Sequence, residues 1–356
     1  MPNFEKETFV DIDKKQEAIT GANLIITTNP NAFHILDTLT EAYFSNQPPY
    51  NEVTLPQEYK PKSLEPGGIF HGTHEHAMYF WNVCSYMSGR IKSDLAFQKI
   101  TEIFDKYPQL FDCQELALTN PETISKILKD HGLGRQEKVA NNWVNNAQRL
   151  VERYDGDPRN IFEQTNSYGD CVDLIKNENG NGFLGFREKM TSMILYFLTD
   201  EKLIPDSVFP VPVDFHAMRV ALATEMIMVE PKNFYRHNGK LEDAIRKLFI
   251  DYLEARDITP LDLTNAVWLL SSNLCNQTTG NFTNKTVDER GVTFSHQEMD
   301  RSNLSHSENW YSTCGRCALN SFCRYYIPSG PYYAKGAIIP REKTTKSFIR
   351  QISLFD

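Results

Sequence analysis

The sequence predicts an all-α protein built from two helical lobes. Apolar side chains recur at three- and four-residue spacing along much of the chain, and strictly alternating runs of the kind that strands show are few. With 356 residues and 40% apolar side chains, the chain is long enough to bury two cores. It holds no uncharged apolar run of about 18 residues, so we expect no membrane span.

The clearest helical patterns lie in four segments, and a further helix is predicted over residues 30–45. Each of the four places its apolar side chains on one face of an amphipathic helix. These faces are formed by Val139, Trp143, Ala147, Leu150 and Val151; by Met190, Met193, Ile194 and Phe197; by Met218, Ala221, Leu222 and Ile227; and by Ala244, Ile245, Leu248, Phe249, Tyr252 and Leu253.

Two segments lack this pattern. Residues 46–70 hold five prolines and two glycines, which predicts an irregular connection after the first helix. Residues 276–313 are rich in Asn, Thr and Ser and form a second long irregular stretch. Long segments without regular structure in compact domains are usually functional or disordered.

Charge and cysteine content restrict the partners and the compartment. There are 37 basic and 46 acidic residues, for a net charge of −9, so a polyanion would have to meet a local basic surface. Residues 335–350 offer one such cluster, although a solvated tail has the same composition. An odd number of cysteines, seven, and an N-terminus without an apolar signal segment predict a cytoplasmic protein.

Four cysteines predict a metal centre near the C-terminus. Cys314, Cys317 and Cys323 are spaced C-x2-C-x5-C, and Cys275 follows the apolar segment AVWLLSSNL. Thiolates in this arrangement can hold a 4Fe–4S cluster, and four thiolates also suit tetrahedral zinc. The five-residue gap favours iron and sulfide. A separation of 38 residues between Cys275 and Cys314 leaves open whether Cys275 is the fourth ligand.

Two charged residues precede helical runs. Asp214, in VPVDFHAMRV, stands where an aspartate normally caps a helix by accepting backbone N–H bonds. Lys189 stands near the start of a helix that follows the glycine-rich turn NENGNGFLG, where a lone lysine is most often a solvated surface residue.

The order of these features resembles the helix-hairpin-helix DNA glycosylases of the endonuclease III type. In that family a glycine-rich hairpin and a lysine precede the motif VDTHxxRV and a cluster of four cysteines. Here Gly185 and Lys189 match the hairpin, and Asp214, His216 and Arg219 match the motif. The resemblance covers about residues 76–325, and its hairpin is closer to that of the archaeal 8-oxoguanine glycosylases.

The resemblance implies an organisation and a partner. Residues 76–212 would form a six-helix lobe, and residues 213–325 would form the iron–sulfur cluster lobe, joined by one helix of the 1–75 extension. A cleft would lie between the lobes, and residues 326–356 would be a basic C-terminal tail. The protein would be a monomer acting on double-stranded DNA with a modified base, associated with the nucleoid in a prokaryote.

The resemblance also implies roles for single residues. Lys189 would be the nucleophile and Asp214 would stabilise positive charge on the sugar. Arg90, or its neighbours Gly89 and Ile91, would be inserted into the base stack, and Leu133 would fill space opposite. Remaining contacts to DNA or the base would come from Gly185, Arg187, which replaces the second hairpin glycine, His216, and the cluster-flanking Arg316 and Arg324.

Two other functions stay open. The same architecture serves N-glycosylases of a free modified nucleotide, as in queuosine salvage, and the acidic net charge favours that substrate. A module that binds damaged DNA without catalysis is the third possibility, which the presence of both Lys189 and Asp214 argues against. Phe183, Phe186 and Phe215 flank the candidate residues and would either stack on a flipped base or pack in the core.

Overall fold

The computed structural model describes residues 25–51, 55–88, 93–176, 180, 182–230, 239–275, 287–288, 291–292 and 316–323. Within these residues the α-helices are α1 Ala32–Phe44, α2 His74–Met87, α3 Ser93–Lys106, α4 Cys113–Leu118, α5 Pro121–Asp130, α6 Gln136–Tyr154, α7 Tyr168–Ile175, α8 Glu188–Asp200, α9 Phe215–Ala223, α10 Gly239–Ala255 and α11 Pro260–Leu269. The strands are β1 Ile25–Thr28, β2 Ile227–Glu230, β3 Val287–Asp288 and β4 Gly291–Val292.

The fold class is all-α, as predicted. The strands form two small antiparallel pairs, β1 with β2 and β3 with β4. Short 3₁₀ turns at Pro56–Tyr59 and Lys62–Leu64 interrupt the connection expected to be irregular. No helix in the described part of the chain is long and apolar enough to cross a bilayer.

The described residues fall into two compact units. The first unit takes its described residues from Met1–Val53, Val213–Ile258 and Asp262–Asp356, and the second takes them from Thr54–Pro212 and Thr259–Leu261. The predicted basic tail, 326–356, lies outside the described residues, as do Arg90, Cys314 and Arg324.

Helix α2 is the centre of the second unit. Every residue from His76 to Met87 is buried, which is the pattern of a helix that neighbours surround on all sides. Aromatic rings from α2 pack against those of the surrounding helices; Phe80, for example, stacks on Phe197 of α8 with ring centroids 5.4 Å apart. The core of this unit is therefore aromatic, and it fixes the helix that carries Lys189.

The first unit combines helices with the larger strand pair. β1 pairs with β2 in the register Ile25–Glu230 to Thr28–Ile227. α1 is tied to α10, because the Asp37 carboxylate accepts hydrogen bonds from Arg256 and from the hydroxyl of Tyr252. The bonds from Arg256 are the main cause that holds the pKa of Asp37 below its ordinary value.

One predicted helical position is wrong. Ile227 was assigned to the apolar face of the helix after Asp214, but α9 ends at Ala223 and Ile227 begins strand β2. Glu225 has φ +55, a left-handed conformation that ends the helix, and pairing with Thr28 holds Ile227 in the strand. A four-residue strand beside a helix is too short to break the helical pattern in the sequence.

Candidate active site

Lys189 is the second residue of α8 and is partly buried. Its positive charge acts on Cys84 of α2: burial raises the pKa of the Cys84 thiol well above its ordinary value, and the charge of Lys189 lowers that pKa in part. The lysine therefore lies beside the central helix of its unit. Its side chain is less exposed than that of the lone surface lysine that its sequence position ordinarily predicts.

The segment before α8, residues 182–187, is called the hairpin segment here. It contains Gly185, which has φ +87. A Cβ atom on Gly185 would lie 2.9 Å from Ser88 Oγ and 3.2 Å from Asn142 Nδ2. Both the backbone angle and the close approach of neighbouring side chains therefore require glycine at this position.

Aromatic contacts hold the hairpin segment against α2. The ring of Phe186 stacks on Trp81 with centroids 4.3 Å apart, and the ring of Phe183 meets Trp81 edge-on at 4.8 Å. Both phenylalanines are buried. Of the two interpretations of these rings, packing in the core is the one that their position in the structure supports.

Polar contacts from α6 hold the same segment. Asn146 donates from Nδ2 to the carbonyl of Leu184 at 2.9 Å and accepts at Oδ1 from the N–H of Leu184 at 2.7 Å. One turn along, Arg149 donates to the carbonyl of Gly182. The hairpin segment is thus bound through its backbone as well as through its aromatic side chains.

Asp214 caps α9, the interaction that its place in the sequence predicts. Its Oδ1 accepts from the N–H of His216 at 2.8 Å and from the N–H of Ala217 at 3.1 Å. These bonds satisfy two backbone donors at the helix start and hold the carboxylate in one orientation.

His216 and Arg219 bind a neighbouring segment of the same unit. His216 Nδ1 lies 3.0 Å from Ser271 Oγ, and Arg219 donates to the carbonyl of Ser271 at 3.1 Å. Ser271 belongs to the π-helix Leu270–Cys275, which ends at the first cysteine of the predicted cluster. His216 is only 8% exposed, so the structure gives this side chain a role in packing α9 against the cysteine-bearing segment.

The described part of the predicted cluster is a loop, residues 316–323, called the cysteine loop here. Cys317 and Cys323 are partly buried in it, and Arg316 is exposed. Leu319 is buried, and the ring of Phe322 meets His34 of α1 edge-on at 5.4 Å. Two of the four predicted ligands thus lie in the described cysteine loop; of Cys275 the structure describes only the backbone.

Leu133 is 1% exposed and lies in the core, so the structure gives it no position from which to fill space in DNA. The reason is the end of α5. The N–H groups of Gly132 and Leu133 bond to the carbonyls of Lys129 and Leu128, and Gly132 has φ +74. This is a Schellman motif, whose second residue past the helix cap is usually an inward-facing apolar side chain. The exposed side chain of the loop is that of Arg135.

The comparison with solved structures finds matching chains. No family model and no curated protein matches the chain. The fold is similar to that of the 8-oxoguanine glycosylase/lyase of Methanocaldococcus jannaschii, crystallised with a 15mer DNA containing 8-oxoguanine. The TM-score is 0.46 at 14% identity, over 67% of this chain and 97% of that one.

Proposed function

We propose that the protein is a DNA N-glycosylase with associated lyase activity, which flips a modified base out of double-stranded DNA and excises it. The observation that carries the proposal is the environment of Lys189. This lysine lies in the first turn of α8, directly after a glycine turn that two kinds of contact hold in place, and Arg187 supplies no side-chain cap to the helix.

The start of α8 suits a phosphate. Helix N-termini bind anions, and the exposed Arg187, which makes no cap bond of its own, adds positive charge there. The negative charge of Glu188 in the same turn is paired with Lys176 at 2.9 Å. A DNA backbone bound there would place a deoxyribose close to the first turn, within reach of a lysine side chain. The exposed Arg316 on the cysteine loop and Arg135 before α6 would supply further backbone contacts.

Lys189 would act through its neutral amine. The nitrogen attacks C1′ of the flipped nucleotide, the glycosidic bond breaks, and the base leaves with the bonding electron pair and takes up a proton. Nζ loses a proton, the C1′–O4′ bond breaks with O4′ taking up a proton, and the opened sugar is left as a protonated Schiff base between Nζ and C1′. Loss of a proton from C2′ expels the 3′ phosphate and completes the lyase step.

Asp214 would act through its charge. Breaking the glycosidic bond leaves positive charge on the sugar, and a carboxylate held in a fixed orientation stabilises that charge without reorganising during the reaction. The two bonds to the N–H groups of α9 provide the fixed orientation.

The cysteines would hold a 4Fe–4S cluster, or zinc as the alternative. Cys317 and Cys323 offer soft sulfur donors in a turn that the buried Leu319 anchors, a donor set that suits either group. Cys275 and Cys314 would complete the set. The metal group would have a structural role, that of fixing the loop that carries Arg316.

The experiment is covalent trapping with an abasic site. Wild type and Lys189→Gln are mixed with duplex DNA that contains one abasic site, and borohydride is added. An amine that condenses with C1′ loses water to form an imine, which borohydride reduces to a stable adduct. We expect an adduct with wild type and with Lys202→Gln, a control just beyond the other end of α8, and none with Lys189→Gln. Absence of an adduct with wild type contradicts the lyase activity.

The second candidate is an N-glycosylase of a free modified nucleotide, which the net charge of −9 favours. Salt separates the two substrates, because affinity for duplex DNA falls steeply as salt rises while affinity for a single nucleotide depends weakly on it. Binding of duplex DNA that is weak and independent of salt between about 50 and 200 mM would favour the nucleotide.

A further inference from the structure

The start of α8 is held from outside the helix. Arg187, its N-cap residue, makes no side-chain cap bond. The first turn is held by Tyr168 and Lys176, which bind the carbonyl and the carboxylate of Glu188, and by the hairpin segment before it. Within that segment the peptide groups of Leu184 are bound on both sides by a single side chain, that of Asn146 on α6. Leu184 and Lys189 are five residues apart. A rotation of the Leu184 peptide therefore changes the path of the short backbone segment that leads to Lys189.

The geometry of Asn146 is suited to fixing an orientation. Its amide is 1% exposed, and both of its polar atoms are used, one as donor and one as acceptor. This pairing matches the way in which two strands exchange hydrogen bonds. The contacts of Phe183 and Phe186 with Trp81 fix the distance of the segment from α2. Apolar contacts are less directional than hydrogen bonds. Rotation of the Leu184 peptide is therefore restrained chiefly by its two hydrogen bonds with the Asn146 side chain.

Neighbours of Asn146 on α6 extend the contact. Asn142 and Arg149 lie four residues before and three residues after it, so all three share one helix face. Asn142 Nδ2 lies next to the place where a Cβ of Gly185 would be, and Arg149 binds the carbonyl of Gly182. The polar face of α6 thus follows the backbone of the hairpin segment over four residues.

We propose that Asn146 is a positioning residue for Lys189: through the backbone of Leu184 it orients the first turn of α8, so that the lysine amine meets C1′ of the bound nucleotide. The inference rests on the proposed function, because it concerns the rate of the lysine's reaction. Misplacement of a reacting group by about 1 Å is enough to cost up to 100-fold in rate.

The test measures the rate of adduct formation in a single turnover, with duplex DNA containing an abasic site at saturating concentration. Asn146→Ala should react about 10- to 100-fold more slowly than wild type. Gln148→Ala is the matched control, since Gln148 also donates from α6 to a backbone carbonyl, that of Ala117, away from the hairpin segment. This control should stay within about twofold of wild type, as expected of a group distant from the reacting atoms.

A second variant separates positioning from general damage to the fold. In Asn146→Asp the ionised carboxylate can accept from the Leu184 N–H but cannot donate to its carbonyl, whereas the protonated acid can do both, as the amide does. The rate of Asn146→Asp relative to wild type should therefore rise as pH falls from about 8 to about 5.5, because burial raises the pKa of a carboxyl group. The same ratio for Asn146→Ala should stay constant.

The outcomes are distinct. No adduct with wild type overturns the proposed function and the inference together. An adduct that forms at the same rate in wild type and Asn146→Ala overturns the inference alone. If Asn146→Ala does not fold, Asn146→Asp decides: a relative rate that rises at low pH supports positioning, and one that does not change with pH overturns it.

Discussion

The helices that carry Lys189 and Asp214 begin in different ways. α9 is capped by Asp214 itself, whose carboxylate accepts from two N–H groups within three residues. α8 has no such cap, and the hairpin segment before it is held by Trp81, Asn146 and Arg149, which are 30 or more positions away in the sequence. One candidate catalytic group is therefore oriented by local bonds and the other by tertiary ones.

The difference has a consequence for stability. A local cap contributes about 1 kcal/mol and can be lost without disturbing the core. Tertiary anchors of a segment are part of the core, so their loss removes packing as well as orientation. Substitutions around Lys189 should therefore lower the free energy of unfolding more than substitutions at Asp214.

Trp81→Ala should have the largest effect. The side chain is fully buried between Phe183 and Phe186, and truncation of a buried tryptophan costs about 3–5 kcal/mol. Urea unfolding followed by far-UV circular dichroism measures the loss. Trp268→Ala is the comparison in the other unit, where Trp268 is partly exposed and meets His216 edge-on. An equal loss for the two variants would contradict a special role of tertiary anchoring near Lys189.

Glu201→Gln tests the other end of α8. Burial works to raise the pKa of Glu201, but His76, whose Nε2 lies 3.5 Å from the carboxylate, and the hydrogen bonds from Lys60 outweigh it and hold this pKa below its ordinary value. A depressed carboxyl pKa stabilises the fold above the unfolded-state value, about 4.3, and the stabilisation disappears as pH falls through the folded-state value. We expect the substitution to cost about 2–3 kcal/mol at neutral pH.

The cost of Glu201→Gln should shrink as pH is lowered from about 6 to about 3, measured by urea unfolding at each pH. The pKa of the adjacent Asp200 is shifted in the opposite direction, because burial raises it and favours the protonated form of this carboxyl group. Glu102→Gln is the control: Glu102 pairs with Lys99 at 2.7 Å on the surface, where ion pairs contribute little. If the loss of unfolding free energy caused by Glu201→Gln does not vary with pH, the pKa of Glu201 is not depressed in the folded protein.

Gly185→Ala should cost about 2 kcal/mol, since it forces an L side chain to φ +87 against Ser88 and Asn142. Gly180→Ala separates the two causes, because Gly180 has φ +81 and its Cβ would meet no atom within 4 Å. The difference between the melting temperatures of the two variants measures the steric part. If Gly180→Ala is as destabilised as Gly185→Ala, the close approach to α2 and α6 contributes nothing.

Asp214 should give the smallest loss of stability and a large loss of activity. Asp214→Ala removes the cap, at about 1 kcal/mol, whereas Asp214→Asn keeps a good capping side chain and should be as stable as wild type. Both should lose base excision, because neither carries the negative charge. An active Asp214→Asn variant would exclude the electrostatic role while leaving the cap intact.

The same contrast explains what could be predicted from sequence. The cap at Asp214 is local and was visible in VPVDFH, as was the helical periodicity of α6, α8 and α10. The contacts of Asn146 and Trp81 with the hairpin segment join residues far apart in the chain, and no periodicity signals them. The burial of Leu133 has a related reason: HGLG contains the Schellman signature, which turns this side chain inward, whereas the resemblance implies that Leu133 fills space in DNA.

Asn146 binds the peptide atoms of Leu184 and makes no demand on the side chain at that position. The backbone of this segment can therefore keep its path when residue 184 is substituted, provided that Gly182, Gly185 and the two phenylalanines that pack on Trp81 stay. The exposed Arg187, which makes no side-chain cap bond to α8, is a second position at which such a scaffold permits substitution.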